Sequence, residues 1–219
     1  MFSKKEALAR GWNQMSEHFW PLLLVVLVAL LLMIGSSGIQ GTVDQHGLMA
    51  VRFLVDVAVF VFQAFISLGL MRVYLALADG EKRPEVKDLF SSGPFLWRYV
   101  GASLVYLLII VGGLILFIVP GIVWAIKYRL YGYFILDKNA RAMESIRLAG
   151  QATAGAKWNL FLLILLVGLI NLAGIMVLGV GILVSVPVGG IAVAYAYRIL
   201  EKRLAGEKNK TSDPVSVVQ

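Results

Sequence analysis

The sequence predicts an all-α integral membrane protein, and three observations carry that prediction. Of 219 residues 59% are hydrophobic, and the mean hydropathy is +0.83, more apolar surface than a soluble fold hides from water. The charged side chains are gathered into clusters that leave long uncharged runs between them. Those runs have the lengths of one or two helical crossings of a ~30 Å hydrocarbon layer. Residues 1–204 read as one polytopic membrane domain with six transmembrane helices in three in-out-in hairpins, accompanied by amphipathic interfacial helices on the cytoplasmic side. Residues 205–219 read as a polar, flexible cytoplasmic tail.

The formal charge of +7 and pI near 9.7 would suggest nucleic acid in a soluble protein. In a membrane protein they reflect lysines and arginines retained on the cytoplasmic side, so no nucleic-acid partner is expected. The lack of cysteine excludes disulfides, thiolate metal sites and cysteine nucleophiles.

The chain opens on an amphipathic helix: Leu8, Trp12, Met15 and Phe19 recur at helical spacing, and Ser3 with Glu6 makes a capping box. It either leads directly into a span or lies in the headgroup layer with Lys4, Lys5 and Arg10 near anionic lipid. The first span is expected at 19–39, followed by a polar loop from Gln40 to Gly47. The second runs over 48–77, with Arg52 and Asp56 four apart on one helical face near its start and Arg72 near its end.

Residues 78–98 have the charge and turn composition of a solvated connection, and Phe95, Trp97 and Tyr99 mark an interface belt. The uncharged run from Tyr99 to Ile126 is 28 residues, about 42 Å of helix, too long for one perpendicular crossing and too short for two. Pro120 and Gly121 are expected to end the third span (97–119) and to form the outer turn, because proline lacks the amide donor. A short fourth span (121–136) then returns, carrying Lys127 and Arg129 inside apolar sequence. A second amphipathic helix follows with Ala142, Ile146 and Ala149 on one face. The 40 uncharged positions from Trp158 to Tyr197 make the last two spans, 158–178 and 182–200, with a bend at Gly179-Val180-Gly181.

With both termini in the cytoplasm, 19 of the 20 lysines and arginines fall on that side or in the returning fourth segment. The positive-inside rule therefore favours this orientation, in a bacterial cytoplasmic (inner) membrane. An internal repeat is also suggested: Glu6 and Trp20 align at one constant offset with Glu144 and Trp158, and Asp88-Leu89-Phe90 with Trp97 gives a weaker echo. Recurring interface aromatics would produce the same pattern in any hairpin membrane protein.

Phe117-Ile118-Val119-Pro120-Gly121-Ile122, Asp137, the helix with Ala142 and Ser145, and Tyr197-Arg198-Ile199-Leu200 resemble YciC-like bacterial inner-membrane proteins and the membrane domain of the glycerophosphodiester phosphodiesterase family. The resemblance covers most of the chain after Leu77 and implies a polytopic helical protein of the cytoplasmic membrane. It does not carry the phosphodiesterase activity over, since the soluble domain responsible for it is not in this sequence.

No zinc-binding, nucleophile-elbow, P-loop or dinucleotide motif is present. His18 and His46 fall on opposite sides of the membrane, so neither a metal nor another cofactor is expected. Gly112-Gly113, Gly189-Gly190, Gly168 and Gly174 read as places where helices approach closely, in preference to hinges. What remains is the intramembrane polar set of Arg52, Asp56, Gln63, Lys127, Arg129 and Asn171. Charges at membrane depth cost ~2.5 to 3.5 kcal/mol each and tend to face a partner or a wet cavity. One reading is an interhelical cluster of Asp56 with Lys127 or Arg129, supported by Arg52, whose positive charge suits an anionic lipid headgroup. The other pairs Arg52 with Asp56 inside their helix while Lys127 and Arg129 snorkel to the interface.

The expected role is a non-enzymatic membrane accessory or scaffold. Its partners are the phospholipid bilayer, anionic headgroups and a membrane-protein partner or second copy. A small transporter or channel using the charged cluster is the alternative. A lipid-modifying membrane enzyme, relying on Asp56, Asp137 or tyrosines, is the third.

Overall fold

The computed structural model describes residues 3–43, 49–80, 84–176 and 181–212, and among these no strand occurs. The helices are α1 (Lys4–Glu17), α2 (Phe19–Val43), α3 (Met49–Ala78), α4 (Leu96–Leu116), α5 (Ile118–Tyr128), α6 (Tyr131–Lys138), α7 (Ala142–Ala152), α8 (Lys157–Met176) and α9 (Ile182–Ser212). Two 3-10 turns, Val86–Phe90 and Gly93–Phe95, precede α4. Among the described residues five stretches are long and apolar enough to cross a membrane: Phe19–Gly38, Met49–Ala78, Val86–Leu116, Lys157–Met176 and Ile182–Glu207. Of the loop expected at 40–47, residues 40–43 continue α2 and 44–47 lie outside the described residues, as do 179–180 of the bend expected at 179–181, His46 and the tail beyond Ser212. Up to Ser212 the tail is a continuation of α9.

The break after the third span is displaced from its expected place. α4 stops at Leu116, Phe117 is extended (φ −165°, ψ 152°), and Pro120 and Gly121 lie inside the first turns of α5. In a continuous helix the Pro120 ring would collide with the Leu116 carbonyl, so the chain opens one turn earlier and proline sits where its missing N–H costs least. Gly121 is needed for the hairpin itself: a Cβ on Gly113 would come within 2.8 Å of the Gly121 Cα and of the Trp124 ring.

The fourth span, expected as one helix over 121–136, is divided. α5 has 11 residues and α6 has 8, about 16 Å and 12 Å at 1.5 Å per residue, so neither crosses alone. Together they run antiparallel to α4 along its length. Gly121 lies on Gly113, the Ala125 carbonyl accepts from Tyr106 at 2.8 Å, Tyr131 meets Ser103 at 2.8 Å, and Arg98 donates to the Asn139 carbonyl at 2.8 Å. No proline or glycine marks the break at Arg129–Leu130. The Arg129 N–H turns to the Ile126 carbonyl at 3.4 Å, and the carbonyls this frees are taken by side chains: Ala125 by Tyr106, Lys127 by Thr153, the C-cap of α7, at 2.8 Å. Satisfied in this way, the irregular backbone is tolerated in an apolar bundle. Asn139 ends α6 in the left-handed region (φ 53°), a conformation asparagine tolerates.

The packed face of α1 keeps Met15 of the expected stripe, with Leu8 and Phe19 partly buried, but turns on small residues and leaves Trp12 out. Ala7, Gly11 and Met15 are buried against α9, whereas Trp12 is 59% exposed. Helices approach closely through small side chains, and a Cβ on Gly11 would run into the Val188 carbonyl oxygen of α9. Ser3 accepts from the Glu6 N–H as the capping box requires, but the Glu6 carboxylate accepts from Tyr195 of α9 at 2.6 Å, and Arg10 lies 4.8 Å over the Tyr195 ring.

The connection read as solvated is partly docked: Leu89 is fully buried, its backbone against Gly69 of α3, and Arg72 donates to the Ser91 carbonyl at 3.1 Å. The predicted face of α7 is buried at Ile146 and Ala149, with Ser145 and Leu148 beside them. Gly189 and Gly190 do mark close approaches, to Val167 and Tyr74, while Gly112 and Gly168 face open space.

Candidate functional site

The break between α5 and α6 places Arg129 on a chamber of about 440 Å³ where α3, α4, α8 and α9 converge. Five tyrosines line it: Tyr74 from α3, Tyr99 and Tyr106 from α4, Tyr131 and Tyr133 from α6. Asn171 of α8, Ser67 of α3, the backbone of Gly189 and Gly190 and the apolar side chains of Leu70, Met71, Val167, Val186 and Val193 complete the wall. The Tyr131 ring stacks on Tyr99 with centroids 5.5 Å apart and lies 5.1 Å from Tyr106. Tyr106 and Tyr131 have hydroxyl partners in Ala125 and Ser103.

Two polar atoms on this wall are buried without a hydrogen-bond partner, the Tyr74 hydroxyl and Asn171 Oδ1. Buried polar groups are normally satisfied, so a pair of orphans on one cavity points to something that fills it. Among the described residues Arg129 is the only charged one on the chamber wall. Among the described residues no carboxylate forms an ion pair with it. The chamber is therefore positive, with hydroxyl and amide groups around one guanidinium, a donor set suited to an anion.

Arg129 also forms one end of a second cavity, an apolar groove of about 440 Å³ between α5 and α8. Its other walls are aliphatic or aromatic, among them Ile122, Ile126, Phe161, Leu165 and Leu172.

The remaining residues singled out in the sequence are placed elsewhere. Lys127 is half-buried, with its ammonium 4.8 Å from the centre of the neighbouring Tyr128 ring and its carbonyl held by Thr153. Arg52 and Asp56 lie on the exposed first turns of α3 and do not line the chamber. α3 packs on α2 and α9, while α5 packs on α4, α7 and α8, so α3 and α5 are not in extensive contact. Gln63 is answered by Ser36 and Ser37 of α2 at 3.4 Å and 3.3 Å. Of the polar set, the structure brings Arg129 and Asn171 together on one wall.

A second constellation, not anticipated as a unit, joins α3, α6 and α9. Arg198 donates through Nε to Asp79 Oδ1 at 2.6 Å and through Nη1 to Asp137 Oδ1 at 2.6 Å, with a further short contact to Asp79 Oδ2. Tyr197 donates to Asp137 Oδ2 at 2.8 Å, and Lys138 bridges Asp137 at 3.3 Å and Glu201 at 2.8 Å. Burial alone would raise the Asp137 carboxyl, but the hydrogen bonds from Arg198 and Tyr197 outweigh it and hold the group below the usual carboxylate range. The Asp137 carboxylate is thus fully engaged. Asp79 was signalled only by its place at the end of a long apolar run, where a charge marks the end of a span.

Compared with known protein families, curated proteins and solved structures, the chain matches none.

Proposed function

We propose that this protein is a multi-pass component of a bacterial cytoplasmic membrane that holds an anionic lipid inside its helical bundle and acts there as a non-enzymatic accessory. The observation that carries the reading is Arg129, an exposed guanidinium with no ion-pair partner among the described residues, set by a helix break on a tyrosine-lined chamber among apolar helices. A cation at such a place is expensive and is retained where a counter-charge visits it.

In this reading α4 is the third crossing and α5 with α6 a broken fourth, giving six passes with both termini cytoplasmic. The lysine and arginine bias supports it, as do three exposed tryptophans, Trp20, Trp97 and Trp158, each at the start of a long helix where an interface belt belongs. The resemblance to YciC-like proteins agrees with the architecture and adds no activity.

Native mass spectrometry of the protein released from mild detergent tests the role. Anionic lipid is expected to be retained by the wild type and lost from Arg129→Gln; retention of zwitterionic lipid alone, or equal retention by both proteins, would refute it. A small transporter is the second reading, favoured by the central position of the chamber and its two unpartnered polar atoms. Proteoliposomes that pass an anion in an Arg129-dependent way would select it over the accessory role.

A further inference from the structure

Arg129 belongs to two cavities at once, and their chemistries differ. On one side lies the hydroxyl-rich chamber with the orphaned Tyr74 hydroxyl and Asn171 Oδ1. On the other lies the α5–α8 groove, whose lining apart from Arg129 contains no polar side chain. The groove wall on α8 extends from Phe161 to Leu172, eleven residue steps or about 16 Å, which is close to half of the ~30 Å hydrocarbon layer. A single leaflet's acyl chain has that reach.

We infer that the α5–α8 groove is a lateral portal and acyl-chain site, and that the ligand is a phospholipid with a hydroxylated, singly anionic headgroup. Its phosphodiester sits on Arg129 and its headgroup hydroxyls lie in the tyrosine chamber. This rests on the reading of Arg129 as a lipid-headgroup residue and adds the route, the tail site and the headgroup class. One cation with no ion-paired carboxylate among the described residues matches one negative charge. The Tyr74 hydroxyl is a donor for a phosphate oxygen, and the Asn171 amide carries both a donor and an acceptor, so it answers a headgroup hydroxyl whichever way it is turned. A water-soluble phosphate would satisfy the chamber but leave the groove empty. The continuous apolar wall leading to the guanidinium favours the lipid over the free anion.

Gly168 makes the portal testable. It lines the groove, and a Cβ there meets nothing within 4 Å, so Gly168→Leu fills the groove without pushing a helix aside. Gly112, equally open but on α4 away from the groove, provides the control Gly112→Leu. Wild type, Arg129→Gln, Gly168→Leu and Gly112→Leu would be purified in one detergent. Each would be titrated with phosphatidylglycerol, phosphatidylcholine and glycerol 3-phosphate, with bound lipid read by native mass spectrometry and phosphate binding by thermal shift.

Phosphatidylglycerol is expected to exceed phosphatidylcholine, and to fall by about tenfold or more in both Arg129→Gln and Gly168→Leu while Gly112→Leu stays at the wild-type level. If Arg129→Gln loses the lipid but Gly168→Leu keeps it, the portal is wrong while the headgroup reading stands. If neither variant loses it, both fail. Glycerol 3-phosphate binding as tight as the lipid's, and unaffected by Gly168→Leu, would identify a soluble anion as ligand and overturn the inference.

Discussion

Arg198 of α9 donates to Asp137 of α6 at 2.6 Å, and through the same guanidinium it holds Asp79, the residue after α3. One planar cation thereby ties together three helices that are far apart in sequence. Arg198 and Asp137 are 20% and 14% exposed, so removing the cation leaves two carboxylates facing each other with little water. Arg198→Gln is expected to cost about 2 to 3 kcal/mol, somewhat less than unpairing a fully buried charge because the groups are partly exposed, lowering the midpoint of thermal unfolding in detergent by several degrees. Adding Asp79→Asn and Asp137→Asn to that variant should recover part of the loss, because no unpaired charge then remains. Tryptophan fluorescence through a temperature ramp reads both changes.

Acid is expected to weaken the same junction. The folded-state Asp137 carboxyl lies below its ordinary value, so its contribution is complete above about pH 4 and is lost as pH falls through the depressed value. Lys138 has the opposite sign: the Glu201 hydrogen bond raises it, so its contribution is complete below its ordinary value and is lost only in strong alkali. Midpoints measured from pH 7 downward should therefore fall below about pH 4, and Asp137→Asn should flatten that part of the curve.

The α4–α5 hairpin should distinguish two adjacent glycines. Gly113→Val is expected to destabilise by about 2 kcal/mol, since its side chain would overlap Gly121 and the Trp124 ring, while Gly112→Val meets nothing and should be neutral. Paired unfolding curves in detergent decide it, and equal behaviour of the two variants would contradict the hairpin.

α1 should be released by a single side chain. Gly11→Val would force α1 away from the Val188 carbonyl and break the Glu6–Tyr195 hydrogen bond. A cysteine placed at Ala7, buried in the wild type, is expected to react with a maleimide only in the Gly11→Val background.

Orientation is open to a direct measurement. An alkaline phosphatase fusion between Gln40 and Gly47 is expected to be active and one at Lys82 inactive; the reverse pattern would turn the whole reading over.

Much of the architecture was legible before any coordinates, because hydropathy and run length are local properties that can be compared with the thickness of a bilayer. The starts of α2, α3, α8 and α9 follow from them within a residue or so. Arg129 stood out in the same way, as a charge inside an apolar run, while Asp137 and Arg198 were named through the family resemblance. Which side chains meet was not legible. A membrane helix is apolar around most of its circumference, so periodicity does not say which face packs, and α2, α3 and α8 show almost no asymmetry. On α1 the large residues Leu8 and Trp12 marked one stripe, but Gly11 permitted the close approach and decided the face. Likewise the split of the fourth span has no marker in Tyr128-Arg129-Leu130, since it depends on hydroxyls of Tyr106 and Thr153, on other helices, being in place to take the freed carbonyls. The sequence by itself determined that the chain is a set of apolar helices with charge at their ends and a few misplaced charges, Arg129 among them. Only the tertiary structure decided that this arginine faces tyrosines and Asn171 instead of Asp56, because that choice is made by close packing between helices far apart in the chain.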